Sequence, residues 1–164
     1  AGAAYALTAE LLKEVVELCP HLQHLTLVQP PGKSATTMPV WESLRPLPWL
    51  TAIRVYNMGF GDAALQYLGQ LPRLKHLVVH EAPAAAMGSG LPVQVTRSGW
   101  TAFAAQAVGL VKLELSGVAA GSALVAAPLQ SGPALRYLAL HNVSALHTSA
   151  LQGLKAPHPL SVFV

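Results

Sequence analysis

The sequence predicts a single α/β solenoid, one stack of strand-and-helix units running through residues 1–164, and three observations carry that expectation. The first is a motif of the form L-x-x-L-x-L, with Ile or Val standing in for Leu at some positions. It reads Leu22-Gln23-His24-Leu25-Thr26-Leu27, Leu50-Thr51-Ala52-Ile53-Arg54-Val55, Leu74-Lys75-His76-Leu77-Val78-Val79, Leu110-Val111-Lys112-Leu113-Glu114-Leu115 and Leu135-Arg136-Tyr137-Leu138-Ala139-Leu140. The second is its spacing. Counted between Leu22, Leu50, Leu74, Leu110 and Leu135, the steps are 28, 24, 36 and 25 residues. All but the third match one supersecondary unit, and recurrence at such a period marks a solenoid. The third is a proline just ahead of four of the motifs, in Cys19-Pro20, Leu47-Pro48-Trp49-Leu50, Leu71-Pro72-Arg73-Leu74 and Gly132-Pro133-Ala134-Leu135. Such a residue stops a helix and hands the chain to a strand.

Taken in order, Thr8 is a helix N-cap without a full capping box, since Glu10 lies only two positions on. The helix runs to about Leu18, and Leu11, Leu12, Val15, Val16 and Leu18 give it an apolar face. Pro20 stops it, and Leu22 to Val28 forms the first strand. A polar loop from Gln29 to Pro39 leads to a short helix over about Val40–Leu47, then to the second strand. In the third unit Phe60 is a buried apolar residue ahead of a helix capped by Asp62. After the third strand, in which Leu77 points into the core, comes the one irregularity. Residues Glu81 to Ser98 contain Pro83, an alanine run, Gly88-Ser89-Gly90 and Pro92, and account for the step of 36. An insertion of this kind sits on one face and is mobile or functional. Helical patterning restarts over Trp100–Val108 and strand four follows. Ser122–Gln130 is a short apolar helix interrupted by Pro128. Strand five, a last helix at Thr148–Leu154 and a sixth strand beginning in Leu160–Val164 complete the chain. That final strand offers unpaired backbone beside Leu160, Val162, Phe163 and Val164, an edge suited to packing on a partner or on further sequence.

The repeated motif, the Cys-Pro-x-Leu join at Cys19 to Leu22 and the segment Phe60 to Leu68, similar to I-T-D-x-x-L-x-x-L, together resemble the leucine-rich-repeat family. The join resembles its ribonuclease-inhibitor-like subtype, the cysteine-containing repeats found beside F-box domains. The resemblance covers nearly the whole chain. It implies a right-handed solenoid of five to six units, with a parallel sheet on the concave face and helices on the convex face. It also implies a non-enzymatic role in protein–protein interaction, as a recognition or scaffold module. An alternative is the substrate-recognition part of an F-box-type ubiquitin ligase, which requires a helical F-box upstream, and Ala1 to Ala6 are too short to hold one. One family feature is missing. The position three after the last strand leucine is normally Asn or Cys, and here it is Pro30, Met58, Ala82, Val118 and Val143. The turns must then be satisfied by backbone, by Asn57 and Asn142 one position earlier, or by water.

Composition narrows the function. Apolar residues make up 52% and charged residues 10% of the chain, against about 25% charged in an ordinary soluble domain. A surface so poor in charge points to cover by other chains, as in a subunit of a larger complex. The net charge is +3 and the ten Lys and Arg are scattered, so no basic stripe suits a phosphate backbone and no nucleic-acid partner is expected. A pI near 9.3 reflects scarce acids. It leans toward an organellar or ribosome-associated site within an intracellular, cytoplasmic or organellar range. One cysteine cannot close an intrachain disulfide. No apolar run of about 18 residues is free of charges and breakers, so no transmembrane segment is expected. No signal-peptide layout is present, and a start at Ala1 suggests processing or a longer parent chain.

Pro30-Pro31-Gly32-Lys33-Ser34 is similar to a phosphate-binding loop, but its first Gly would fall at Leu27, a core position. Val78-Val79-His80 places His80 where an ATPase holds Mg²⁺ with Asp. Alternation along the strands puts His24, Thr26 and Val28; Ala52, Arg54 and Tyr56; His76, Val78 and His80; Lys112, Glu114 and Ser116; and Tyr137, Ala139 and His141 on one face. His24 and His76 are then two strands, about 9–10 Å, apart. That is too far for shared zinc ligation, so no metal, cofactor or small-molecule substrate is expected. Cys19 is expected to be a buried structural thiol. Asn142-Val143-Ser144 matches a glycosylation sequon and is read as a turn. No nucleophile, base and orienter assemble. The contact residues expected on the face are Arg54, Tyr56, His76, His80, Tyr137 and His141, since aromatic and Arg side chains dominate interfaces.

Overall fold

The computed structural model describes residues 8–29, 38–81, 95–118, 134–143 and 161–163. In chain order the elements are α1 (Ala9–Leu18), β1 (His24–Val28), α2 (Met38–Glu42), β2 (Ala52–Tyr56), α3 (Asp62–Gly69), β3 (His76–His80), α4 (Arg97–Gln106), β4 (Lys112–Ser116), β5 (Tyr137–His141) and β6 (Ser161–Phe163). The strands form one six-stranded sheet in the order β1-β2-β3-β4-β5-β6, every pair parallel. The class is therefore α/β with a sequential parallel sheet, and the fragment expected from Leu160 on does add a sixth strand. The helices expected at 122–130 and 148–154 lie outside the described residues.

The motif explains why the strands stack in register. Its second and third leucine-type residues sit at alternate strand positions and face one side: Ile53, Val55, Leu77, Val79, Leu113 and Leu115 are all fully buried. The leading leucine lies three residues earlier and still faces the core, as Leu50, Leu74, Leu110 and Leu135 show. Strict alternation would send it outward. It is turned inward by a backbone jog that each neighbour repeats. The Gln23 carbonyl accepts from the N–H groups of both Thr51 and Ala52, Thr51 from Lys75 and His76, Lys75 from Val111 and Lys112, and Val111 from Arg136 and Tyr137. At the other end of each strand a second stitch recurs. Gln29, Asn57, Glu81 and Gly117 each donate a backbone N–H to the last strand carbonyl of the next unit. Asn57 and Asn142 take φ of 57° and 51° there, and Gly117 takes 68°. This is the left-handed region that Asn and Gly tolerate. A Cβ on Gly117 would also stand 2.0 Å from the Glu81 carbonyl oxygen, so only glycine fits.

Helices pack on the leucine side, where Ala64, Leu65 and Leu68 of α3 and Trp100 and Phe103 of α4 join the strand leucines in one core. Trp41 meets Phe60 edge-on at 6.3 Å inside it.

Several expectations change at the element ends. In α1, Thr8 caps as expected, its Oγ accepting from Leu11 N at 3.2 Å. Of the expected apolar face, however, only Leu12 and Val16 are buried; Leu11 is 45% and Leu18 81% exposed. Cys19 is exposed rather than buried. The cause is common to all three: β1 is an outer strand of the sheet, and among the described residues no further unit covers it or α1 on that side. α2 is one turn long, and the buried Leu44 and Leu47 lie in the tight turns that follow it. α3 is preceded by Gly61 as N-cap, with no side-chain cap bond. Asp62 is the first helical residue, and its carboxylate reaches across to the next helix. It accepts from Thr96 N at 2.8 Å and from Thr96 Oγ1 at 2.5 Å. Thr96 in turn caps α4 by accepting from Gly99 N at 3.1 Å, so α4 starts three residues before Trp100. Of the insertion expected over 81–98, residues 82–94 lie outside the described residues. Its two ends belong to the packed structure: Glu81 closes a turn and Val95 is buried.

Candidate binding face

The pairing register turns the outward strand positions into rows. His24, Ala52, His76, Lys112 and Tyr137 align in the first; Thr26, Arg54, Val78, Glu114 and Ala139 in the second; Val28, Tyr56, His80, Ser116 and His141 in the third. All six expected contact residues therefore do share one sheet face. Val78 and Ala139 are buried within it and form its floor, while Arg54, His76 and His141 are exposed.

The structure links some of these residues and leaves others apart. Tyr56 and His80 pack ring on ring, centroids 5.2 Å apart. His80 Nε2 lies 3.0 Å from Glu114 Oε1. Lys112 Nζ pairs with Glu114 Oε2 at 2.9 Å and stands 4.7 Å from the centre of the Tyr137 ring. A continuous line Tyr56–His80–Glu114–Lys112–Tyr137 thus crosses β2 to β5. Its hub, Glu114, was not among the expected contact residues, nor was Lys112. The signal was their outward position between two strands rich in His and Tyr. Burial pushes the Glu114 carboxyl up, but the hydrogen bonds from Lys112 and His80 outweigh it and hold it below the usual carboxylate range. Arg54, by contrast, has no ion-pair partner among the described residues. The His76 ring is held below the ordinary histidine range by burial and then by the positive charges of Lys112, His24, Lys75 and Arg54.

A second arrangement escaped the sequence entirely. Glu81, just after β3, turns its carboxylate onto the turn after β2. It accepts from Met58 N at 3.1 Å, Gly59 N at 3.1 Å and Phe60 N at 3.2 Å. One carboxylate thereby satisfies three turn amides. Burial pushes the Glu81 carboxyl above the usual range, against the pull of those amides. Asn57 also serves the turn, as expected, its Nδ2 donating to the Gln29 carbonyl at 3.5 Å. At the opposite strand ends, the residues following three of the joining prolines also stack: His21 meets Trp49 edge-on at 6.0 Å and Arg73 lies 4.0 Å over the Trp49 ring.

Among the described residues no three of His, Cys, Asp and Glu gather as a metal-binding group, and no helix is long and apolar enough to cross a membrane. No family model matches the sequence, and no curated protein matches it.

Proposed function

We propose that the chain is a leucine-rich-repeat module, a right-handed solenoid with its strands on the concave side. In this reading it serves without catalysis as a protein-recognition or scaffold subunit of a larger assembly. The observation that carries the reading is the Tyr56–His80–Glu114–Lys112–Tyr137 line across four strands. Two tyrosines are held by fixed partners on a rigid sheet, so little side-chain freedom is lost when another surface settles on them. Aromatic and cationic groups presented in this way are what interface hot spots consist of. The low charge content of the chain supports the same reading, since covered surface needs few charges.

Exchange of Tyr56, His80 and Tyr137 together for Ala tests it. The variant is expected to keep its melting temperature within a few degrees, because none of the three lies in the leucine core. It should lose the proteins that the unaltered chain retains from an extract of its source cells. Retention of the same proteins by the triple variant would place the interface elsewhere.

A further inference from the structure

We propose that the partner presents a segment rich in Asp or Glu, and that this segment lies over His24, Arg54 and His76 on the β1–β3 half of the face. The proposal rests on reading the face as a protein-binding surface.

Charge divides the face in two. On the β4 side the acid and the cation are matched, because both oxygens of Glu114 are engaged, Oε1 by His80 and Oε2 by Lys112. On the β1–β3 side they are not. Arg54 is exposed, and its neighbours across the row are Thr26 and Val78, which carry no charge. His24 and His76 stand in the adjacent row, one strand to either side, with Lys75 next in sequence to His76. Three adjacent strands span about 10 Å, and same-side residues of an extended peptide repeat every ~7 Å. Two carboxylates of one such segment therefore reach Arg54 and the two imidazoles together. A protein segment fits better than a nucleic acid, because the basic residues of the chain are scattered and form no stripe that would track a continuous phosphate backbone.

The surroundings of His76 support this. The charged and titratable groups around it are Arg54 of β2, Lys112 and Glu114 of β4 and His24 of β1, with Lys75 just before it in sequence. Partial burial, and after it the cations among them, disfavour its protonation. A carboxylate laid on it favours protonation, so binding takes up a proton and strengthens as pH falls through the histidine range.

The test uses the full chain and a short fluorescein-labelled poly-glutamate peptide, followed by anisotropy in low salt. Arg54→Glu is expected to weaken binding about tenfold. Arg45→Glu, the same charge change at an exposed turn after α2, should alter it less than about twofold. Binding should tighten between about pH 7.5 and about pH 6, and the His76 ring resonance should titrate higher with peptide bound. Poly-lysine should not bind. Three results would overturn the proposal: no poly-glutamate binding in low salt, equal loss in both charge variants, or tighter binding of single-stranded DNA of similar charge. The protein-binding reading fails separately, on partner retention by the triple alanine variant, a measurement that does not involve the peptide.

Discussion

Glu81 shows how much one side chain can settle. Its carboxylate accepts three amides of the neighbouring unit's turn. Glu81→Ala takes this part-buried acceptor away, and a loss of roughly 2–4 kcal/mol in urea denaturation is expected; a loss below about 0.5 kcal/mol would mean that water serves the turn equally well. The two perturbed carboxyls also differ in sign. Glu114 is held low in the folded state, so its contribution is complete above the usual carboxylate pKa and is lost as pH falls through the folded value. Glu81 is held high, so its titration contributes stability that is present at low pH and is lost as pH rises through the folded value. Between about pH 7 and about pH 3, the stability gap between the native chain and Glu114→Gln should therefore shrink on acidification, while that for Glu81→Gln should widen. Parallel trends in the two variants would contradict the assignment.

At the scale of elements, β3 is flanked on both sides by strands, and Leu77 within it is fully inaccessible. Leu77→Asp puts an unpaired carboxylate among Ile53, Leu113 and the helix side chains. A cost above about 4 kcal/mol is expected, enough to unfold a domain of ordinary stability. Circular dichroism and a melting curve check it, and an unchanged melt would refute the strand register. Helix boundaries obey a different logic. The apolar period begins at Trp100, and a reading by periodicity begins the helix there. The real first turn, Arg97 to Gly99, is polar and exists because Thr96 caps it while Asp62, 34 residues earlier, holds Thr96. A Cβ on Gly99 would come within 2.1 Å of Asp62 Oδ1, so the glycine is what lets α3 and α4 approach so closely. No local pattern contains that contact.

Across the whole molecule, the outer strand β1 carries consequences of its own. Val28 is 58% exposed, and Leu11 and Leu18 of the adjoining helix are exposed as well. Apolar side chains beside an outer parallel strand invite another chain. The 164-residue chain is expected to self-associate at tens of micromolar, roughly where exposed edges begin to aggregate. Sedimentation velocity decides this, and Val28→Lys with Leu18→Lys should return it to a monomer; a native chain that sediments as a monomer throughout would remove the argument.

The parallel pairing was implied by the resemblance to a repeat family, and the strand order came from the structure; what the sequence determined by itself is the succession of strands and the identity of the outward rows. Those follow from a leucine period and a two-residue alternation, both local, and Arg54, Tyr56, His76, His80, Tyr137 and His141 duly share one face. What only the tertiary structure decided is which of those residues act together. Glu114 became the hub because its neighbours on β3 and within β4 point His80 and Lys112 at its two oxygens. Glu81 left the expected insertion to close a turn more than twenty residues upstream. Cys19, placed in a join that elsewhere is covered, stayed in solvent. The physical reason is common to all three. A repeat tells each residue which way to face, but its burial and its partners depend on whether a neighbouring unit is present and what that unit offers.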